Sequence, residues 1–445
     1  MTPTTPTTPP TDTGGLPLPP GPAAPCAIDA DLESFHRMWR YFEEFGGIYR
    51  VDPPGRDRPT YLVSDPDLVQ RVLVTNWRNY AKGRGFERVK MLLGNGVIVS
   101  DGEHWLEQRR MIQPAFKREI IEAMSAVVRR ANEKLLPEWE HKADRGETLD
   151  ITHETSVLAL DVILGVIFGD DLEPYRTDDG KSPFALLVDH PARDLALVVQ
   201  FRALRELVHE LIAKRRCEDV HRTDFLSLFM DARSKTDRQA MADEDLIDEI
   251  MTLIVAGHET TAATTNWIWF LLAQDPRVEA ELHAELDPLA GDEPPSFASL
   301  DQMPYAKRVM FETLRLYPPV WLFTRKALGA DELGGYRVDA GTDIFLSPYV
   351  VHRHPEFWGD DAQVFRPERF TPDGVNPIHE FAYFPFSMGA RRCTGDLFAK
   401  VEALTHIGWM APRFRLSYVP DRELELEPAV NLRTKHGIRM RIERR

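Results

Sequence analysis

Cysteine is scarce in this chain. Three occur among 445 residues: Cys26, Cys217 and Cys393. An odd, sparse set argues against a disulfide framework and fits a reducing cytosol. Positive charge is the minority sign. Lys and Arg number 54 against 70 Asp and Glu, a net charge of −16. That balance makes nucleic acid and anionic membrane surfaces poor partners, and plain solubility accounts for it. No uninterrupted run reaches the roughly 18 apolar residues of a membrane span. The N-terminus lacks the basic start and apolar core of a secretory signal. The expectation is therefore a soluble, cytoplasmic protein without a membrane anchor. Histidine and carboxylate clusters with zinc spacing are missing, as are internal repeats and any linker within the body.

What is present is a long body behind a proline-rich start. Residues 1 to 27 are rich in Pro, Thr and Gly and are expected to be disordered or extended. Residues 28 to 445 read as one domain, mainly α with a small β part. Amphipathic spacing predicts a helix from Asp29 to Phe45, ending at Gly46-Gly47. Ile48–Val51 and Thr60–Val63 read as a hairpin across a Pro-Gly turn. Leu68 to Val74 reads as helix, and Gly83 to Ser100 mostly as loop. Helices start near Glu103, Arg118 and Thr152. Asp243 is placed to cap a long helix running to Gln274, which Asp275-Pro276 ends. Another helix spans Pro304 to Leu316. Short strands fall at Tyr336–Val338 and Asp343–Leu346.

The sequence Phe386-Ser387-Met388-Gly389-Ala390-Arg391-Arg392-Cys393-Thr394-Gly395 carries the chemistry. A lone cysteine is more often a small core hydrophobe than a ligand. Here it sits among an aromatic, two glycines and an arginine at fixed offsets, with a helix starting at once, Asp396 to about Met410. That setting suits a thiolate ligand to haem iron. Glycine lets the backbone pass under a flat porphyrin. Turn N–H groups and the helix start favour a negative sulfur, and Arg391 can meet a propionate. A second run, Ala256-Gly257-His258-Glu259-Thr260-Thr261, lies mid-way along the long helix. Gly257 permits close approach of a flat ligand or a local widening of the helix. Glu259 and Thr260 supply an acid and an alcohol for proton delivery to bound dioxygen. His258 is expected to point away from the iron.

Both runs match motifs of the cytochrome P-450 family, and the chain resembles that family from about residue 17 to its end. Two further segments resemble family motifs: Glu312-Thr313-Leu314-Arg315 and Phe365-Arg366-Pro367-Glu368-Arg369-Phe370. The resemblance implies a cytochrome P-450 fold holding haem b, iron protoporphyrin IX. It assigns Cys393 as axial ligand, Glu259 and Thr260 to oxygen activation, and Glu312, Arg315 and Arg369 to a structural network behind the cysteine loop. It makes Phe386, Gly389, Arg391, Trp105, Arg109, Arg325, Ala256, Gly257 and Lys82 haem contacts. Trp105 and Arg109, four apart, share one helix face.

The implied activity is a monooxygenase of secondary metabolism, inserting one atom of dioxygen into a lipophilic organic substrate. Alternatives are a peroxide-using or C–C/C–N bond-forming member, or a non-catalytic haem-thiolate sensor. The intact Glu259–Thr260 pair weighs against both the peroxide user and the sensor. No flavin or iron–sulfur unit follows residue 413, so a ferredoxin or flavodoxin with its NAD(P)H reductase is the expected donor. Its docking face would comprise Arg109, Arg110, Lys117, Arg392 and Lys400. The expected substrate pocket draws on Leu92, Leu93, Val97, Leu253, Ile254, Val320, Trp321, Phe323 and Leu432. The stretch 171–216 should form the roof. Pro174, Gly180, Pro183 and Pro191 interrupt it, leaving helices only at Phe184–Val188 and Leu197–Arg216. A short roof suggests an open pocket for a bulky natural-product intermediate, including one delivered by a carrier protein. A loosely ordered lid over a small lipid or terpene is the alternative.

Overall fold

The computed structural model describes residues 15–177, 180–189, 195–218, 222–371 and 379–445. Its axis is the 32-residue helix Asp243–Gln274. Asp243 does not cap it. The cap residue is Ala242, and Asp243 instead holds Arg216 at 2.5 and 2.7 Å. At the other end Asp275 is extended, and its carboxylate accepts the N–H groups of Arg277 and Val278, capping the next helix.

Against this axis packs the helix Ile151–Phe168. The two approach closely because Gly257 lacks a side chain. A Cβ there would lie 2.6 Å from Ile163 Cδ1. The helix shows no widening at that point, so the glycine serves helix packing. The segment Ile151–Tyr175 is long and apolar enough to cross a membrane, but 67 % of its most apolar stretch is buried inside the fold. The helices Arg118–Asp144 and Asp396–Met410 complete the core around buried Trp139, Trp269 and His406.

A five-stranded sheet flanks the helices. Its order is Ile48–Val51, Thr60–Val63, Asp343–Leu346, Phe323–Ala327, Tyr80–Lys82. The first two strands form the expected antiparallel hairpin, Ile48 opposite Val63. Tyr80–Lys82 and Phe323–Ala327 were not foreseen, because their pairing joins segments far apart in sequence. It sets Lys82 opposite Arg325.

Several boundaries shift. The first helix begins at Leu32, with Asp31 accepting the Ser34 N–H at 2.7 Å. The helix Pro66–Gln70 gives way to a wide π turn, Arg71–Thr75. Gly83 to Ser100 is mostly loop, as expected, but it also holds a short helix, Phe86–Leu93, between Gly85 and Gly94, both with positive φ. Order also begins before residue 27. Pro17 O and Pro20 O accept the N–H groups of Arg337 and Arg50, and Cys26 N–H reaches Asp52 O.

The roof is one helix of 23 residues, Leu195–Cys217, preceded by a short turn of helix at Leu186–Asp189. Pro191 lies outside the described residues. Two arginines pin the roof helix. Arg205 sits 2.6 Å from Asp248 and donates to Leu93 O. Arg215, buried, bonds Asp171, Asp224 and Phe168 O at 2.5 to 2.8 Å.

Candidate active site

Between the long helix, the sheet and the Cys393 loop lies a cavity of about 470 Å³. Its floor is the loop. Phe386 O accepts the Cys393 N–H at 2.9 Å, and Ser387 and Gly389 both take left-handed backbone, φ 58° and 64°. Cys393 opens onto the cavity. Burial raises its thiol pKa; the Gly395 N–H and the guanidinium groups of Arg109 and Arg392 pull the other way. Phe386 lines the floor. Gly389 does not. A Cβ there would collide with the Leu73 carbonyl oxygen of the π turn, so this glycine seats the loop on its neighbour and faces away from the cavity.

One side of the cavity is cationic. Lys82 and Arg325 are neighbours across the sheet, and Arg391 lies over the Trp105 ring, 4.1 Å from its centre. Arg391 pairs with Asp101 and donates to Ser100 O at 3.1 Å, but its buried Nε has no hydrogen-bond partner among the described residues. Burial and the two arginines hold the Lys82 ammonium well below its usual pKa. Burial, then Arg391, pulls Arg325 down to about 10. Three cations facing one carboxylate in a buried wall are costly unless an anionic group completes them. The two propionates of haem fit that excess of positive charge, and Cys393 fits its iron. Arg109 reaches the loop differently, donating to Arg392 O at 2.8 Å.

The opposite wall is the long helix. Leu253, Ala256, Gly257, Glu259 and Thr260 line it. Thr260 Oγ1 donates to Ala256 O at 2.7 Å, and the Glu259 carboxylate accepts from Asn431 Nδ2. His258 turns away, with Nε2 2.8 Å from Ser156 Oγ. Ile254 is not a wall residue; it is fully buried in the helical core, one step round the helix from Leu253. Leu432 is also displaced from the wall. Its N–H binds Pro319 O at 2.8 Å and its side chain is fully buried, so Ala429, Val430 and Asn431 face the cavity instead. Leu92, Leu93, Val97, Val320, Trp321 and Phe323 lie where expected.

Residues missed by sequence reasoning are Asn431, Phe201 of the roof, and Glu249 with Thr252. Extending the helix face upward from Ala256 in steps of three and four would have reached the last two. Nothing local marks Phe201 or Asn431.

Behind the loop, Arg315 forks onto both oxygens of Glu312 at 2.7 Å, and Arg369 Nε lies 3.3 Å from Glu312. Arg315 also donates to His352 O and Ala362 O, and Arg369 to Trp358 O. The pair Glu312 and Arg315 is fully buried. Its spare donors reach backbone carbonyls, which ties the helix Pro304–Leu316 to the segment leading into the cysteine loop.

The Cytochrome P-450 family model matches residues 17–438. Cyclooctatin synthase of Streptomyces melanosporofaciens is 34 % identical over 393 residues, covering 84 % of each chain. Pentalenene oxygenase of Streptomyces avermitilis is 31 % identical over 398 residues, covering 86 % of this chain and 87 % of its own. The crystal structure of the cytochrome P-450DA haem domain superposes with a TM-score of 0.84 at 24 % identity, covering 97 % of this chain and 98 % of that one, which bears on the fold alone. A thiol at the floor of a cation-edged cavity, an acid and an alcohol on the wall above it, and a family match along nearly the whole sequence converge: the chain belongs to the cytochrome P-450 family and is a haem-dependent monooxygenase.

Proposed function

We propose that the chain oxygenates a compact, terpene-type lipophile, with electrons from a ferredoxin or flavodoxin and its NAD(P)H reductase. The observation that carries this reading is the apolar cavity joining Cys393 to the Glu259–Thr260 wall. Haem, when bound through Cys393 with Lys82, Arg325 and Arg391 toward its propionates, supplies the iron that binds and splits dioxygen, one atom entering the substrate and the other leaving as water. Thr260 Oγ1 stands at the wall as the group that holds the proton to be delivered. Glu259, tethered by Asn431, is the carboxylate that resupplies it. Leu253, Val320 and Phe323 exclude water and present a C–H bond.

The cavity volume of about 470 Å³ includes the space against Cys393, so the substrate has only part of it. That favours a compact ring system over a bulky carrier-bound scaffold, in keeping with a relative whose name gives pentalenene as what it oxygenates. The test has two arms. Cys393→Ser is expected to abolish the red-shifted carbon monoxide band of the reduced protein. The unaltered protein is expected to turn over terpene hydrocarbons or alcohols with NAD(P)H and a surrogate redox pair. A normal band in the serine variant, or turnover with peroxide but none with NAD(P)H and a redox pair, overturns the reading.

A further inference from the structure

The upper end of the cavity is polar, and nothing in the oxygenation chemistry uses it. Glu249 and Thr252 lie three residues apart on the long helix, on one face, and both line the cavity. They are 2 % and 3 % exposed. Among the described residues, neither Glu249 Oε1 nor Thr252 Oγ1 has a hydrogen-bond partner. The Val97 N–H lies near the carboxyl and favours its charged form, against the larger effect of burial. Neighbouring Asp248 differs, being occupied by Arg205 at 2.6 Å and by the Asn95 N–H. Two adjacent polar groups at this depth, lining the cavity beside apolar Leu253, Leu93 and Val97, are costly unless a ligand meets them.

Position along the helix fixes the geometry. Thr252 and Glu249 precede Thr260 by 8 and 11 residues, about 12 and 16 Å along the axis. We propose that Glu249 and Thr252 form a specificity subsite for one neutral hydroxyl or carbonyl oxygen of the substrate, so that the chain acts on an already oxygenated lipophile and oxidises it at the end remote from that oxygen. Resting on the oxygenase reading above, this names the substrate class more narrowly: an alcohol or ketone on a ring skeleton. A first oxygenation or hydration must then supply the substrate.

The chemistry favours a neutral partner over a cation. Burial, with Asp248 and Asp245 nearby, pushes the Glu249 carboxyl up to about 8, so at neutral pH it carries a proton to donate. Thr252 adds a hydroxyl that both donates and accepts. A site built to hydrogen-bond an oxygen rejects the analogue that lacks it far more strongly than an apolar pocket rejects a missing methylene.

The test is equilibrium dialysis of the haem-loaded protein with two matched sets: drimane, drimanol and aminodrimane, and androstane, androstanol and aminoandrostane. The alcohol of at least one set is expected to bind tenfold or more tighter than its hydrocarbon and its amine. Glu249→Leu should erase that preference, and Glu249→Gln, which keeps a donor, should retain part of it. Infrared difference spectra should show a protonated carboxyl stretch that shifts on alcohol binding and is lost in Glu249→Gln. Equal binding of alcohol and hydrocarbon, tighter binding of an amine, a preference that survives Glu249→Leu, or no binding by either set overturns the subsite. Each of these can occur with a normal carbon monoxide band, whereas loss of that band in the unaltered protein overturns the oxygenase reading itself.

Discussion

Glu249 shows how burial at one residue becomes a property of the whole protein. Its carboxyl is moved from 4.5 to about 8 by desolvation first, with the Val97 N–H opposing and Asp248 and Asp245 adding to the rise. Around it, Arg205 faces Asp248, and His104 lies 3.7 Å from Asp245. No ion pair of Glu249 itself occurs among the described residues. The folded state therefore binds this proton more tightly than the unfolded chain. Its contribution to stability is fully present below about pH 4.5 and is lost as pH rises through 8. By pH 7 the loss is on the order of 3 kcal/mol. Urea unfolding of Glu249→Gln and the unaltered protein should nearly coincide near pH 4.5 and separate by pH 8, the glutamine variant being the more stable. Coincident curves at pH 8 would show a carboxyl with an ordinary pKa. Thr260 is the second residue whose removal is informative. Thr260→Ala should keep haem and substrate binding while diverting electrons to hydrogen peroxide, read as the ratio of product to NAD(P)H consumed. Unchanged coupling would place the proton relay elsewhere.

At the scale of elements, two glycines of the motifs turn out to serve packing between distant segments. Gly389 carries positive φ and abuts the Leu73 carbonyl, a backbone atom that cannot move aside. Gly389→Ala should cost about 2 kcal/mol or more and lower the haem content of purified protein. Gly257→Ala meets the Ile163 side chain, Cδ1 at 2.6 Å and Cγ1 at 3.0 Å, and no backbone atom, so it should cost less, and Ile163→Val, which removes Cδ1, should restore part of the loss. Thermal melts of the single and double variants decide this. The same contrast explains what could be read in advance. Cys393, Glu259 and Thr260 were legible because their runs are local and densely specified. The hairpin at 48–63 and the helix Pro304–Leu316 were legible from periodicity. Gly389 was misread because its reason is Leu73, more than 300 residues away. Leu432 was misread because a hydrogen bond to Pro319, invisible locally, decides which side of that turn faces in. Ile254 was misread although the helix period gave the answer, since one residue's rotation takes it off the Leu253 face. The strand Tyr80–Lys82 exists only through its distant partner, Arg325–Ala327.

Charge is where the whole molecule matters. The chain is acidic overall, and the electron donor proposed above would approach on the Cys393 side. Of the five basic residues expected there, three are already engaged. Arg392 and Lys400 share Asp396 at 2.6 and 3.7 Å, and Arg109 is bonded to the Arg392 carbonyl. Arg110 and Lys117 are exposed, and no ion pair of either occurs among the described residues. Steering of the proposed acidic ferredoxin or flavodoxin would therefore rest mainly on these two, with Asp396 working against it. Screening shortens their reach to about 8 Å at physiological salt, so the effect is one of encounter rate and not of fold. Stopped-flow reduction by an acidic ferredoxin should slow several-fold in Arg110→Glu/Lys117→Glu at low ionic strength, quicken in Asp396→Asn, and converge for all three proteins as salt rises. Rates indifferent to both salt and charge reversal would mean that the donor docks on another face, or that apolar contacts around the loop govern its approach.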